Sequence, residues 1–152
     1  RKAVTFGAIL LVLGHGGMAI ETNEQIFYLS LALIVNGVGF LKPNISTMVG
    51  ALYPEGDARR DSGFTIFYMG INIGAFASAL LCGYLGETFG WSYGFGAAGI
   101  GMLIGLTIFI WGQKYLKGNV EPPSLELLKE KMFGLSKELW IYISGLAMVF
   151  VC

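Results

Sequence analysis

A polytopic bundle of transmembrane α-helices is the fold class this sequence predicts, and three observations carry it. The chain is 55% hydrophobic and only 13% charged, against about 25% charged in ordinary soluble domains, with a mean hydropathy of +0.66. Apolar runs near the ~20 residues that a bilayer requires recur along it, separated by short polar stretches. Between the apolar runs, lysine and arginine fall in alternate gaps only, as the positive-inside rule demands of helices that cross and recross a membrane. The 23 glycines suit such a bundle, because small residues let helix backbones approach.

The first span is expected over 3–20, interrupted by His15. An acidic loop, 21–25, leads to a second span over 26–52. The polar loop YPEGDARRDS follows, with Pro54 and Gly56 as breakers. A third span is expected over 63–85, with Asp61 or Ser62 as its N-cap. After a turn at 86–90 comes a fourth span over 91–112. These four make up a 1–112 membrane unit. Residues 113–137 form a charged linker containing Pro122 and Pro123, in which Ser124–Phe133 suits an amphipathic interfacial helix. Residues 138–152 begin a further membrane helix. Both ends of the chain read as cuts, so the sequence is expected to be an internal piece of a larger membrane protein.

Arg1 and Lys2, then Arg59 and Arg60, then Lys114 and Lys117 mark one side of the membrane. The opposite loops hold Glu21, Glu24 and Glu87 and no basic residue. The start, the 53–62 loop and the 113–137 segment are therefore assigned to the cytoplasm, in a multi-pass protein of the plasma (inner) membrane. Arg59 and Arg60 set topology, or one of them makes a gate contact with Asp57 or Asp61. Zero net charge gives no electrostatic case for nucleic acid. Cys82 and Cys152 lie in apolar runs without metal-ligand spacing or a disulfide framework. No nucleophile–base pair or paired carboxylates stand in a span, so an enzyme is not expected, and no bound cofactor is implied.

The informative stretch is NGVGFLKPNISTMVG, 36–50. Lys42 is charged inside a membrane span, which costs at least a few kcal/mol. Pro43 removes a backbone donor and frees the carbonyl of Gly39, so the helix loosens there. No Asp or Glu lies within the four expected spans. Lys42 therefore needs an anion from a missing helix, from a substrate carboxylate, or from each in turn. In the last case, displacing the protein carboxylate raises its pKa and lets it take up a proton. Lys42 lies roughly 15 Å inside the second span and Asn72 about 14 Å inside the third, at 1.5 Å per residue. Transporters place substrate sites near that level. Tyr68 shares a helix face with Asn72, and Ser46 shares one with Lys42. The competing readings are a snorkelling Lys42, at a depth that makes the interface hard to reach, an Asn72 that bonds a neighbouring helix and a packed Tyr68. His15 reads as a neutral histidine bonded between helices, with a proton relay as the alternative. Asn36 and Asn44 read as helix-packing contacts. Gly70, Gly74 and Gly83 on the third span, and Gly101 and Gly105 on the fourth, form small-residue faces expected to pack tightly.

Three stretches, GFLKPNIS (39–46), YPEGDARRDSGF (53–64) and FYMGINIGAF (67–76), together resemble the proton-dependent oligopeptide transporter family of the major facilitator superfamily. The likeness covers about residues 1–115. It implies that the four spans are helices 3–6 of the N-terminal bundle, and that the segment from Leu139 is an extra helix between the two halves or the start of helix 7. It further implies proton-coupled symport of di- and tripeptides by alternating access, with protons as the coupling ion. In the family, the lysine matching Lys42 contacts the peptide carboxylate and takes part in proton coupling with a helix 1 glutamate motif. The residues matching Asn72 and Tyr68 bind the peptide and line its pocket. The helix 1 motif and the C-terminal half are not in this sequence, so the remaining helices of the parent are implied partners beside the lipid bilayer. A carrier of another small anion, such as nitrate, and a structural membrane subunit are the alternative functions.

Overall fold

The computed structural model describes residues 1–20, 23–116, 128–132 and 135–148. Four long helices make up most of it: α1 (Lys2–Ile20), α2 (Glu24–Ala51), α3 (Arg59–Phe89) and α4 (Trp91–Leu116). Each is long and apolar enough to cross a membrane. A two-residue antiparallel ladder follows, β1 (Lys131–Met132) on β2 (Leu135–Ser136), and then α5 (Lys137–Met148). The ladder shows that an interfacial helix does not continue through 131–132. Of the rest of that expected helix, 128–129 are helical, while 124–127 and Phe133 lie outside the described residues, as does 149–152 of the last expected segment.

Helix boundaries follow local chemistry. Asn23 is the N-cap of α2, its side-chain oxygen accepting from the Ile26 amide at 2.9 Å. The expected cap of α3 is corrected: neither Asp61 nor Ser62 serves, and the helix begins at Arg59. The N-cap position is held by Ala58 with no side-chain cap, and the residue before it, Asp57, bonds the Arg59 amide at 2.9 Å and the Arg59 guanidinium at 2.7 Å. The α3–α4 junction is a single residue, Gly90, at φ 110°, a left-handed conformation that only glycine adopts without strain. The fourth helix runs four residues further than the expected 112. Within that extension Lys114 folds over the Trp111 and Tyr115 rings, 4.9 Å from each.

Packing runs in the order α2–α1–α4–α3, with α2 and α3 meeting only thinly. The central helix α1 supplies most of the core: Val4, Ala8, Leu10, Leu11 and Met18 are buried, joined by Ala32 and Met48 of α2 and Leu106 of α4. By contrast α3 buries only Gly86 among its residues. Ile66, Ile73, Phe76, Leu80 and Tyr84 along it are all exposed, a surface suited to lipid or further helices rather than water.

The close helix approaches are not where the small-residue faces suggested. Gly70, Gly74, Gly83, Gly101 and Gly105 have open space where a side chain would stand. Tight packing falls instead between α1 and α2, where a methyl group on Gly7 would lie 2.7 Å from the Gly37 carbonyl oxygen. Spacing alone cannot tell a face that meets a helix of the same chain from one that awaits another neighbour.

Candidate substrate site

α2 is a continuous 28-residue helix that carries Pro43 inside it. Side chains that bond back into the helix flank the weak point. Asn44 donates to the Phe40 carbonyl at 2.8 Å, Ser46 to the Lys42 carbonyl at 3.1 Å and Thr47 to the Pro43 carbonyl at 2.9 Å. Asn36 does the same one turn below Phe40, donating to the Ala32 carbonyl at 2.9 Å. Both asparagines, read as helix-packing contacts, spend one N–H on the carbonyl one turn back in their own helix.

Gly37 and Leu41 face α1. Lys42 follows Leu41 by one residue, about 100° around the helix, and is exposed from the bundle. Among the described residues no carboxylate lies within ion-pair distance of its ammonium group. Lys42 stands nine residues from the end of α2, about 14 Å along its axis at helical rise.

On α3, Asn72 donates to the Tyr68 carbonyl at 2.8 Å, which leaves its side-chain oxygen and one N–H for other partners. The Tyr68 ring stacks on Phe64, centroids 6.4 Å apart, and leans on Phe67 at 5.7 Å. Both residues are exposed. The structure therefore groups the expected residues in two pairs, Lys42 with Ser46 on α2 and Tyr68 with Asn72 on α3. No hydrogen bond joins the pairs. Because α3 starts at Arg59, Asn72 lies thirteen residues into it, about 20 Å at helical rise. Counting from the apolar part at Gly63 returns about 14 Å.

His15 corrects an expectation. Its Nδ1 donates to the Leu11 carbonyl of its own helix at 2.8 Å, rather than bridging to another helix. In the neutral ring that bond places the proton on Nδ1 and leaves Nε2 an acceptor. The ring borders a cavity of about 320 Å³ with Ser78 and Cys82 of α3 and Trp91 and Phe95 of α4. Arg59 pairs with Asp57, one of the two carboxylates named for it, at 2.7 Å within the 53–62 loop region. The Arg59 guanidinium holds the Asp57 carboxyl well below its usual range, at about 2.

A helix from about 138 was expected, but not where α5 rests. It lies against α1 and α2 through rings: Phe6 meets Phe40 edge-on at 5.1 Å, and Tyr142 sits 4.9 Å from Phe6 and 5.9 Å from Phe40. A salt bridge of 3.0 Å joins Lys2 to Glu138.

The POT family model, PTR2, matches residues 1–140. The chain belongs to the POT family. This is a family of transporters and not of enzymes, and the chain is part of a multi-pass membrane protein. Among POT relatives, a peptide transporter of Yersinia enterocolitica is 51% identical over 111 residues, covering 72% of this chain and 22% of the relative. A di-/tripeptide transporter of Lactobacillus helveticus is 38% identical, covering 94% of this chain and 30% of that one. A crystal structure of a POT family transporter in complex with a thioalcohol-conjugated peptide superposes with a TM-score of 0.77 at 33% identity, over 99% of this chain and 30% of that one. The chain thus spans less than a third of the length of these POT proteins.

Proposed function

We propose that the chain is part of a proton-coupled symporter of di- and tripeptides that works by alternating access. One observation carries the reading: Lys42 is a cation in the middle of an apolar helix, with no ion-pair partner among the described residues. A membrane protein keeps such a charge where an anion can neutralise it. A peptide carboxylate is such an anion, and the Yersinia and Lactobacillus relatives are peptide transporters.

In this reading Lys42 pairs with the peptide carboxylate. The free N–H and side-chain oxygen of Asn72 hydrogen-bond the peptide backbone or amino end. The Tyr68 ring walls the pocket, and Ser46 lines the cavity beside Lys42. Proton coupling runs through Lys42 as well. When the peptide carboxylate takes the ammonium group, a carboxylate elsewhere in the parent loses it, its pKa rises and it binds a proton. Protons are the coupling ion, and no bound cofactor is required. The helices lie in the plasma (inner) membrane with 53–62 and 113–137 cytoplasmic, because the basic residues cluster there.

Uptake of a labelled dipeptide into proteoliposomes holding the full-length transporter, with and without an inward proton gradient, tests the reading. Gradient-driven uptake that unlabelled di- and tripeptides compete away is expected. Accumulation of nitrate or another small anion, with no competition by peptides, would replace it with an anion carrier.

A further inference from the structure

Pro43 leaves the Gly39 carbonyl without its helical donor, so 39–43 is the part of α2 that bends or turns most easily. Lys42 sits inside that stretch. A rotation there swings the ammonium group with it. Something must hold this segment if the lysine is to keep one direction.

Phe40 is the handle. It stands between Gly39 and Lys42 and is gripped from two sides. Phe6 of α1 meets it edge-on at 5.1 Å, and Tyr142 of α5 lies over it at 5.9 Å. Gly145, one turn beyond Tyr142, gives the ring its room: a side chain there would run into the end of the Phe40 ring. Phe6 and Tyr142 touch each other at 4.9 Å, which closes the cluster. Lys2 and Glu138 add an ion pair at 3.0 Å between the starts of α1 and α5. Beside the cluster, Asn36, Gly39, Ile141 and Ser144 border an open groove of about 520 Å³. Phe40 is thus packed on one flank and has space on the other, so the aromatic contacts decide where it rests.

We propose that α5, which follows the polar linker, positions Lys42: Tyr142 and Gly145 hold Phe40, and Phe40 holds the proline-weakened turn that aims the ammonium group. The proposal rests on the peptide-carrier reading for its consequence in transport, but not for its geometry. Tyr142 acts through Phe40 and touches no substrate.

Two readouts on the full-length transporter test it. In dipeptide uptake, Tyr142→Ala and Gly145→Leu should each raise the apparent KM about fivefold with little loss of kcat, the signature of a misaimed binding group. Tyr142→Phe keeps the ring and should keep the wild-type KM. The second readout needs no substrate. In a full-length protein whose native cysteines, Cys82 and Cys152 included, are replaced by serine, Lys42→Cys is labelled with a water-soluble methanethiosulfonate. Adding Tyr142→Ala should change the labelling rate at least about threefold, as expected when a side chain is redirected. Unchanged labelling, or unchanged KM in a transporter that takes up dipeptides, overturns the proposal. If the transporter takes up no peptide but labelling changes, the peptide reading fails and the positioning role stands. Should Gly145→Leu not fold, Tyr142→Ala carries both measurements.

Discussion

A methyl group on Gly7 would lie 2.7 Å from the carbonyl oxygen of Gly37, and one on Gly37 would lie 2.8 Å from the carbonyl oxygen of Gly7. The two glycines let α1 and α2 touch backbone to backbone. That contact fixes the rotation of α2 and so turns Lys42 away from α1. Leu41 contributes to the same seam, its amide nitrogen 2.8 Å from where a Gly7 side chain would begin.

Gly7→Ala should therefore cost about 1–3 kcal/mol through overpacking, because backbone and not a flexible side chain must yield. Gly37→Ala should cost the same order. Gly16→Ala, where nothing stands within 4 Å, should be neutral or slightly stabilising through helix propensity. Melting temperatures of the detergent-solubilised transporter compare the three.

The fold class was legible because hydropathy and the placement of basic residues are properties of composition along the chain. Trp91 opens the fourth helix as read. What failed was local competition and long-range pairing. α3 starts at Arg59, ahead of Asp61 and Ser62, with Ala58 as an N-cap that bears no side-chain bond, while Asp57 holds both the amide and the guanidinium of Arg59. His15 was read as a tie between helices, yet it bonds a carbonyl of its own helix. The aromatic seat of α5 joins residues that no periodicity links: Lys2 and Glu138 are 136 positions apart. Within the candidate site, the Tyr68–Asn72 and Lys42–Ser46 pairs follow from helical spacing. Nothing in spacing sets the direction of Lys42, which depends on long-range contacts: Gly7–Gly37 fixes the face that α2 turns to α1, and the ring cluster around Phe40 seats the turn that carries Lys42.

Asp57 supplies a pH-dependent element. Its pKa falls from 3.8 to about 2 on account of Arg59. A lowered carboxylate pKa means stability that is present above the unfolded value and lost as pH falls through the folded one. The start of α3 should thus be fully protected above about pH 4 and fray between there and about pH 2. Hydrogen-exchange protection of the Arg59 and Arg60 amides, corrected for intrinsic rate, measures this. Asp57→Asn should lower that protection already at neutral pH.

Asn72→Ala should weaken apparent dipeptide affinity roughly tenfold, equivalent to about 1.4 kcal/mol, while expression stays near normal. The side chain bonds its own helix at the Tyr68 carbonyl, and an exposed bond of that kind contributes little to folding. Tyr68→Phe should have a smaller effect, because the ring and its stacking on Phe64 remain. Competition binding with a fixed dipeptide separates the two.

Ser46→Ala should change uptake less than about threefold, since an exposed hydroxyl already bonded to its own helix backbone adds well under 1 kcal/mol. Its hydroxyl donates to the Lys42 carbonyl and not to the ammonium group. Initial uptake rates under a proton gradient provide the check.

Proton-driven dipeptide uptake by the full-length transporter carrying Lys42→Ala addresses the central claim most directly. The lysine is taken to neutralise the peptide carboxylate and to pass the proton-coupling signal, so gradient-driven uptake should vanish in protein that still folds and inserts. Wild-type uptake from that variant would contradict the claim.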